Sequence, residues 1–278
     1  MVKLAPLRWY GGKQAGGKSK WVAGFLPWER DSTYCEPFGG MMSVLLARDP
    51  VKCEIFNDLS LDVVNWWRVV RDDRDKFGEM VESTPHSREE FDRACVILNN
   101  GVEMGIERAW AFHVVVSQDI AASPARQYWG SAKKYNSGSL GRWRSERVAA
   151  LAERVWNVQL ENRDALELMD WLSGEERCVM YCDPPYYSSH TKLYEHGYVD
   201  SGALREALLA QSGRVAISGY GDEWDDLGWE RYERDSYFSG LGKEMRGSGY
   251  VRKEVLWCNF GLDDNVSLFD KNLQVEGK

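Results

Sequence analysis

The segment Cys178-Val-Met-Tyr-Cys182 is apolar without a break, and Asp183-Pro184-Pro185-Tyr186 stops it at once. A strand that is wet on one face alternates polar and apolar side chains. A strand with no polar position is covered on both faces, as parallel strands are in α/β proteins. Shorter strand-like runs recur at Thr33–Glu36, Cys53–Phe56, Trp156–Leu160 and Arg214–Ser218, with later ones at Arg231–Phe238 and Lys253–Phe260. Helical patterns separate them. The alternation predicts an α/β fold built on a doubly wound, mostly parallel sheet.

One region breaks the rhythm. Leu61–Met80, Ser87–Asn99 and Ile106–Ser117 read as helices, the second opened by a Ser87/Glu90 capping box. A loop-rich basic stretch, 119–141, follows, and Trp143–Val155 reads as a helix leading back to the sheet. The expected organisation is a core of residues 1–60 and 155–278 with an inserted helical lobe, 61–154. A chain of 278 residues with 44% apolar content can fill both. No apolar run has the length of a membrane span, and Met1–Pro6 carries one Lys and no apolar stretch of the signal-peptide kind. The six cysteines form no C-x-x-C and histidines number four, so structural zinc is not expected. The cysteines read as small buried hydrophobes of a reducing compartment.

Four motifs carry chemistry. Gly12-Lys-Gln-Ala-Gly-Gly17-Lys18-Ser19 fits the P-loop pattern, but a P-loop needs an apolar strand directly before it, and Pro6-Leu-Arg-Trp-Tyr10 is too short and polar. Cys35-Glu36-Pro37-Phe38-Gly39-Gly40 takes a strand into an acid and a glycine turn, then a helical pattern over Met41–Ala47. Open α/β sheets bind nucleotide-like ligands at such turns. Phe56-Asn57-Asp58 places an acid about 20 residues beyond that glycine turn, where it suits either ribose hydroxyls or a helix N-cap. Asp183-Pro184-Pro185-Tyr186 is the most specific. The prolines stiffen the backbone, so that the Asp183 carboxylate and the Pro184 carbonyl form a paired acceptor for an exocyclic amino group. Tyr186 is positioned to stack on a planar base.

With these in place, the chain resembles the Dam-like (D12 class, α-group) DNA adenine-N6 methyltransferases over nearly its whole length. The order is R-W-Y-G-G-K, E-P-F-G-G, N-D, a helical insertion, then Y-C-D-P-P-Y. The resemblance implies a Rossmann-like core that binds S-adenosylmethionine and a flipped adenine in double-stranded DNA, with no metal. It implies that Trp9 and Lys13 contact the cofactor, Lys13 near its carboxylate. Glu36, Phe38 and Gly40 pass under its methionine part, and Asp58 holds the ribose. Asp183, Pro184 and Tyr186 hold the target adenine, with Asp183 also bordering the cofactor. Asp164, in Glu161-Asn-Arg-Asp164-Ala, suits the cofactor's adenine amino group and equally suits the N-cap of a helix over Ala165–Trp171. Two departures stand out. Met42 occupies a position where the family often has glycine, and the N-R-x-G-F-N-G type of recognition stretch has no clean counterpart in 117–136. GATC specificity therefore does not follow.

The implied reaction is direct methyl transfer to adenine N6, assisted by placed acceptors. The base must leave the helix to be reached, costing a few kcal/mol. The formal charge of −8 argues against nucleic acid only in bulk. Residues 126–154 carry a local +5 with interleaved aromatics, Tyr128, Trp129, Tyr135 and Trp143. Arg126, Lys133, Lys134, Tyr135, Arg142 and Arg144 are the expected DNA contacts. Lys243, Arg246, Arg252 and Lys253 form a second basic stretch, whereas 222–235 is acidic and reads as an outer face. N4-cytosine methylation, RNA methylation, a catalytically silent DNA-binding protein and a P-loop phosphotransferase are the competing readings. No membrane or obligatory protein partner is expected. The compact chain suits a solitary or phage-borne enzyme in the bacterial cytoplasm.

Overall fold

The computed structural model describes residues 4–9, 11–120, 122, 124–125, 127–130, 143–185, 199–236 and 252–261. Seven strands form one sheet: β1 (Thr33–Glu36), β2 (Cys53–Asn57), β3 (Gln159–Glu161), β4 (Cys178–Cys182), β5 (Arg214–Tyr220), β6 (Glu230–Ser236) and β7 (Arg252–Cys258). Their spatial order is β3-β2-β1-β4-β5-β7-β6. β1 to β5 run parallel, and β7 runs antiparallel between β5 and β6. Thr33 of β1 lies opposite Cys53 on one side and Cys178 on the other.

The unbroken apolar strands behave as expected. Every residue of β4 is buried, as are the five central residues of β5. Successive residues point to opposite faces. Tyr34, Phe56, Val179, Tyr181, Ala216 and Leu256 join one apolar cluster, and Cys35, Ile55, Met180, Cys182, Ile217 and Trp257 join the other.

Among the described residues, eight helices cover the two faces. The second cluster is closed by α7 (Ala165–Leu172) and α8 (Ser201–Leu209) through Leu168, Met169, Leu204 and Leu208. The first is closed by α1 (Lys18–Phe25), α2 (Leu61–Asp72), α3 (Arg74–Ser83), α4 (Arg88–Asn99), α5 (Ile106–Gln118) and α6 (Ser145–Val155). Trp66, Phe77, His113 and Trp143 pack edge to face or stacked at its centre.

Several local expectations are corrected. The helix expected over Leu61–Met80 is broken at Asp73, whose φ of −120° and ψ of 28° leave the helical region. The expected Ser87 capping box does not form. The Ser87 N–H donates to Gln118 Oε1, while Glu90 accepts from Arg93. Met41–Ala47 holds turns and a single 3₁₀ turn rather than an α-helix. The third strand begins at Gln159, because Trp156 belongs to the turn after α6 and is exposed. No helix among the described residues is long and apolar enough to cross a membrane.

Candidate active site

Strand order reverses between β1 and β4, and in open α/β sheets ligands bind beyond the carboxyl ends at such a point. A cavity of about 400 Å³ lies there. Glu36 enters it from the end of β1, Asp58 from just past β2, and Asp183 and Pro184 from just past β4. Trp9 and Lys13 line it from the N-terminal segment, Phe38 and Gly40 from the turn after β1, and Asp164 from the start of α7. These residues are spread over 176 positions of chain yet meet in one place. Tyr186 lies outside the described residues.

The turn after β1 is shaped by its contacts. The Gly39 N–H donates to the Asn57 carbonyl at 2.8 Å, and a Cβ on Gly39 would fall 2.1 Å from the Phe56 ring. Gly40 has φ of +49° and lies against the Trp9 indole. Met42 also has a left-handed φ of 49° and is fully buried, so this chain accepts strain where a glycine would carry none.

Asp58 ties two loops together. Its Oδ2 accepts from the Gly40 N–H at 2.9 Å and its Oδ1 from the Ser60 N–H at 2.8 Å. The N-cap position of α2 belongs to Ser60, so the helix-cap alternative for Asp58 does not hold. Asp164 does cap its helix, accepting from the Leu166 N–H at 2.7 Å, and lines the cavity as well.

Glu36 is buried and accepts from the Tyr34 hydroxyl at 2.7 Å. Burial pushes its carboxyl up to about 7. Lys13 is 2% exposed, and its ammonium lies 2.5 Å from Asp183 Oδ1 and 3.0 Å from Glu254 Oε1. Burial works against that charge, but Asp183, Tyr181 and Glu254 outweigh it and hold the lysine well above its usual range.

Sequence reasoning gave no role to four contributors. Asn57, fully buried, donates to the Pro37 and Arg163 carbonyls and accepts from the Arg163 N–H, bracing β1, β2 and the approach to α7. Tyr181 and Ser218 share a buried hydrogen bond of 2.8 Å beneath the site. Glu254 reaches the site from β7. The only signal for Asn57 and Ser218 was a polar residue inside or ending an apolar run.

The P-loop pattern has no P-loop geometry. Residues 4–9 form no strand, Lys18 binds Glu254 at 2.9 Å, and the Gly16 and Gly17 carbonyls accept from Arg234. Among the expected DNA contacts, Arg126, Lys133, Lys134, Tyr135 and Arg142 lie outside the described residues. Arg144 is exposed, 3.6 Å from Glu82.

Other members of the basic stretch serve the fold. Arg154 is buried against Glu54 at 2.6 Å, Arg147 donates to the Ala5 and Pro6 carbonyls, and Trp143 is core. Trp129 stacks on His86 and has the Arg88 guanidinium over its ring, while Tyr128 remains exposed. In the second basic stretch, Lys253 pairs with Glu233 at 2.5 Å, and Lys243 and Arg246 lie outside the described residues.

Residues 9–208 match the family model of the D12 class N6 adenine-specific DNA methyltransferases. The comparison with curated proteins finds no match. Solved structures similar to the chain include a precorrin 8W decarboxylase of Methanobacterium thermoautotrophicum, at 9% identity and a TM-score of 0.39 over 89% of this chain and 90% of that one. They also include a SAM-dependent methyltransferase from Agrobacterium tumefaciens, at 10% identity and a TM-score of 0.39 over 87% of this chain and 60% of that one.

Proposed function

Because the chain belongs to the D12 class N6 adenine-specific DNA methyltransferase family, we propose that its cavity binds S-adenosylmethionine beside a flipped adenine of double-stranded DNA. The observation that carries this reading is the convergence of Trp9, Lys13, Glu36, Gly40, Asp58, Asp164, Asp183 and Pro184 on one cavity. Its volume falls within the range of about 300–1,000 Å³ usual for small-molecule sites. Five carboxylates, Glu36, Asp58, Asp164, Asp183 and Asp200, line it. That donor set fits a ligand with cationic, hydroxyl and amino groups. When bound, S-adenosylmethionine supplies the methyl group on a cationic sulfur.

The chain's own residues do the rest. Asp58 presents carboxylate oxygens to a ribose diol from a position fixed by the Gly40 and Ser60 amides. Glu36 faces the cofactor's amino end, and Trp9 packs the turn on which that end rests. Asp164 takes the cofactor's adenine amino group at the mouth of α7. The Asp183 carboxylate and the Pro184 carbonyl accept the two N–H bonds of the target amino group. Both acceptors favour a more tetrahedral, nucleophilic nitrogen and stabilise the positive charge that develops on it. Tyr186 stacks on the flipped base, returning roughly 1–3 kcal/mol of the unstacking cost.

Helices α2–α6 and the segment between α5 and α6 form the lobe (61–154) that presents Arg126, Lys133, Lys134, Tyr135, Arg142 and Arg144 to DNA. Residues 1–60 and 155–278 form the catalytic core. The enzyme works in the cytoplasm of a bacterial or phage-infected cell, where its substrate is. Incubation with S-adenosylmethionine and mixed-sequence DNA, followed by nucleoside mass spectrometry, tests the reading. N6-methyladenine is the expected product, lost in Asp183→Ala. N4-methylcytosine would transfer the reading to cytosine, and DNA binding without methylation would leave a silent member of the fold.

A further inference from the structure

The proposed catalytic carboxylate is served by a lysine that has a second master. Lys13 touches Asp183 at 2.5 Å and Glu254 at 3.0 Å, and Glu254 in turn holds Lys18 at 2.9 Å. The four groups form a continuous chain, Lys18–Glu254–Lys13–Asp183, with two positive and two negative charges. Glu254 is 0% exposed and is not among the residues that line the cavity. It sits in the middle of β7, opposite Tyr220 of β5 and Arg234 of β6. Both of its oxygens are used by ammonium groups, and both ammonium groups come from the N-terminal segment.

Burying a carboxylate in a sheet is costly unless the charge is paired and hydrogen-bonded. Pairing with Lys13 and Lys18 meets that cost in a strand whose neighbours Val255, Leu256 and Trp257 are apolar. What the acid achieves is geometric. An ammonium has three donors on a flexible four-carbon stem, and one partner does not fix its direction. A second partner on rigid β7 does. With Glu254 holding one donor, Lys13 presents a defined donor to Asp183 Oδ1 and shares its charge between two carboxylates. Asp183 then keeps the electron density that an acceptor of the target amino group needs.

We infer that Glu254 is a positioning residue for methyl transfer: through the Lys18–Glu254–Lys13–Asp183 chain it sets the direction and charge of the lysine that holds the catalytic carboxylate. The inference rests on the reading of Asp183 as the acceptor for the target amino group. Glu254 stands outside the cavity, so its loss reaches the site only through Lys13 and falls chiefly on the chemical step, with a smaller effect on cofactor binding.

The test compares Glu254→Gln, Glu254→Asp and the charge-balanced pair Lys18→Met with Glu254→Gln, with Asp183→Asn alongside. The double variant removes one charge of each sign, so that the Lys13–Asp183 pair is left neutral and the fold is not burdened with an unpaired lysine. Circular dichroism and thermal melting report folding. Equilibrium dialysis gives the dissociation constant for S-adenosylmethionine, and single-turnover kinetics give the rate of methyl transfer.

A displaced catalytic group commonly costs on the order of a hundredfold in rate. Both Gln-containing variants are expected to lose about tenfold to a hundredfold in single-turnover rate, with cofactor affinity within about threefold of wild type. Glu254→Asp should recover part of the rate. A folded double variant that transfers methyl at the wild-type rate overturns the inference, and so does a loss confined to cofactor affinity. If Asp183→Asn itself retains the wild-type rate, the failure lies instead with the acceptor reading.

Discussion

Cofactor affinity should depend on pH through one buried acid. Glu36 lies at the carboxyl end of β1, buried and bonded to the Tyr34 hydroxyl, and burial moves its carboxyl from an ordinary value of 4.5 up to about 7. A cationic ligand favours the ionised form, so binding draws a proton off Glu36 wherever the free protein still holds one. The ionised fraction rises from about one-tenth at pH 6 to about nine-tenths at pH 8, so affinity should rise about tenfold across that range. Isothermal titration of S-adenosylmethionine at pH 6, 7 and 8, in two buffers of different protonation enthalpy, measures both the affinity and the protons released. Near pH 7 release should be about half a proton per site. Glu36→Gln should bind more weakly at pH 8 and lose the pH dependence. A flat wild-type profile, or an equal slope in Glu36→Gln, refutes the reasoning.

The same shift has the opposite sign for stability. The folded state holds the extra proton between the unfolded and folded values, so the ligand-free protein is most stable below about pH 4.5 as far as this group is concerned. That contribution, about 3 kcal/mol at most, is lost as pH rises through 7.

Three further expectations follow from the geometry. Gly39→Ala would put a methyl group into the Phe56 ring, and a loss of about 1–3 kcal/mol or more is expected in denaturant unfolding. A wild-type midpoint would mean that the turn yields. Arg154→Met leaves Glu54 buried without its cation and should cost about 3–5 kcal/mol, with the salt dependence of DNA binding unchanged. A changed salt slope would return Arg154 to the DNA face. Charge reversal at Lys133 and Lys134 should weaken DNA binding and flatten its dependence on salt, read by fluorescence anisotropy across a salt series. Equal affinity and slope would move the DNA contact elsewhere.

Where burial is uniform, sequence and structure agree closely. Thr33–Glu36 and Cys178–Cys182 are strands at the expected boundaries, because a run of apolar side chains has few other ways to hide. The cavity residues were legible because turns and acids at strand ends have a small set of uses. Charge was the least legible property. Arg147 and Arg154 count toward the local +5 of residues 126–154, yet one holds backbone carbonyls and the other a buried glutamate. Nothing in a one-dimensional charge count separates a partner in water from a partner in the core. Glu254 hid for a related reason. In Arg252-Lys-Glu-Val-Leu-Trp-Cys it looks like the polar end of an amphipathic strand, and its partners stand at the other end of the chain. The break at Asp73 and the left-handed Met42 are decided by packing that no short window of sequence contains.

The closure of the charge chain at β7 has a consequence for the order in which the molecule is made. Lys18 precedes its glutamate by 236 residues. At about 5–20 residues per second, that separation is on the order of ten to fifty seconds of synthesis. During that interval Lys18 lacks the carboxylate that β7 supplies and Lys13 has Asp183 without Glu254, however well β1, β2 and β4 have paired. Segments made 236 residues apart must therefore meet before the acid at the heart of the site is set, and a nascent chain can display every cavity residue while still lacking a competent site.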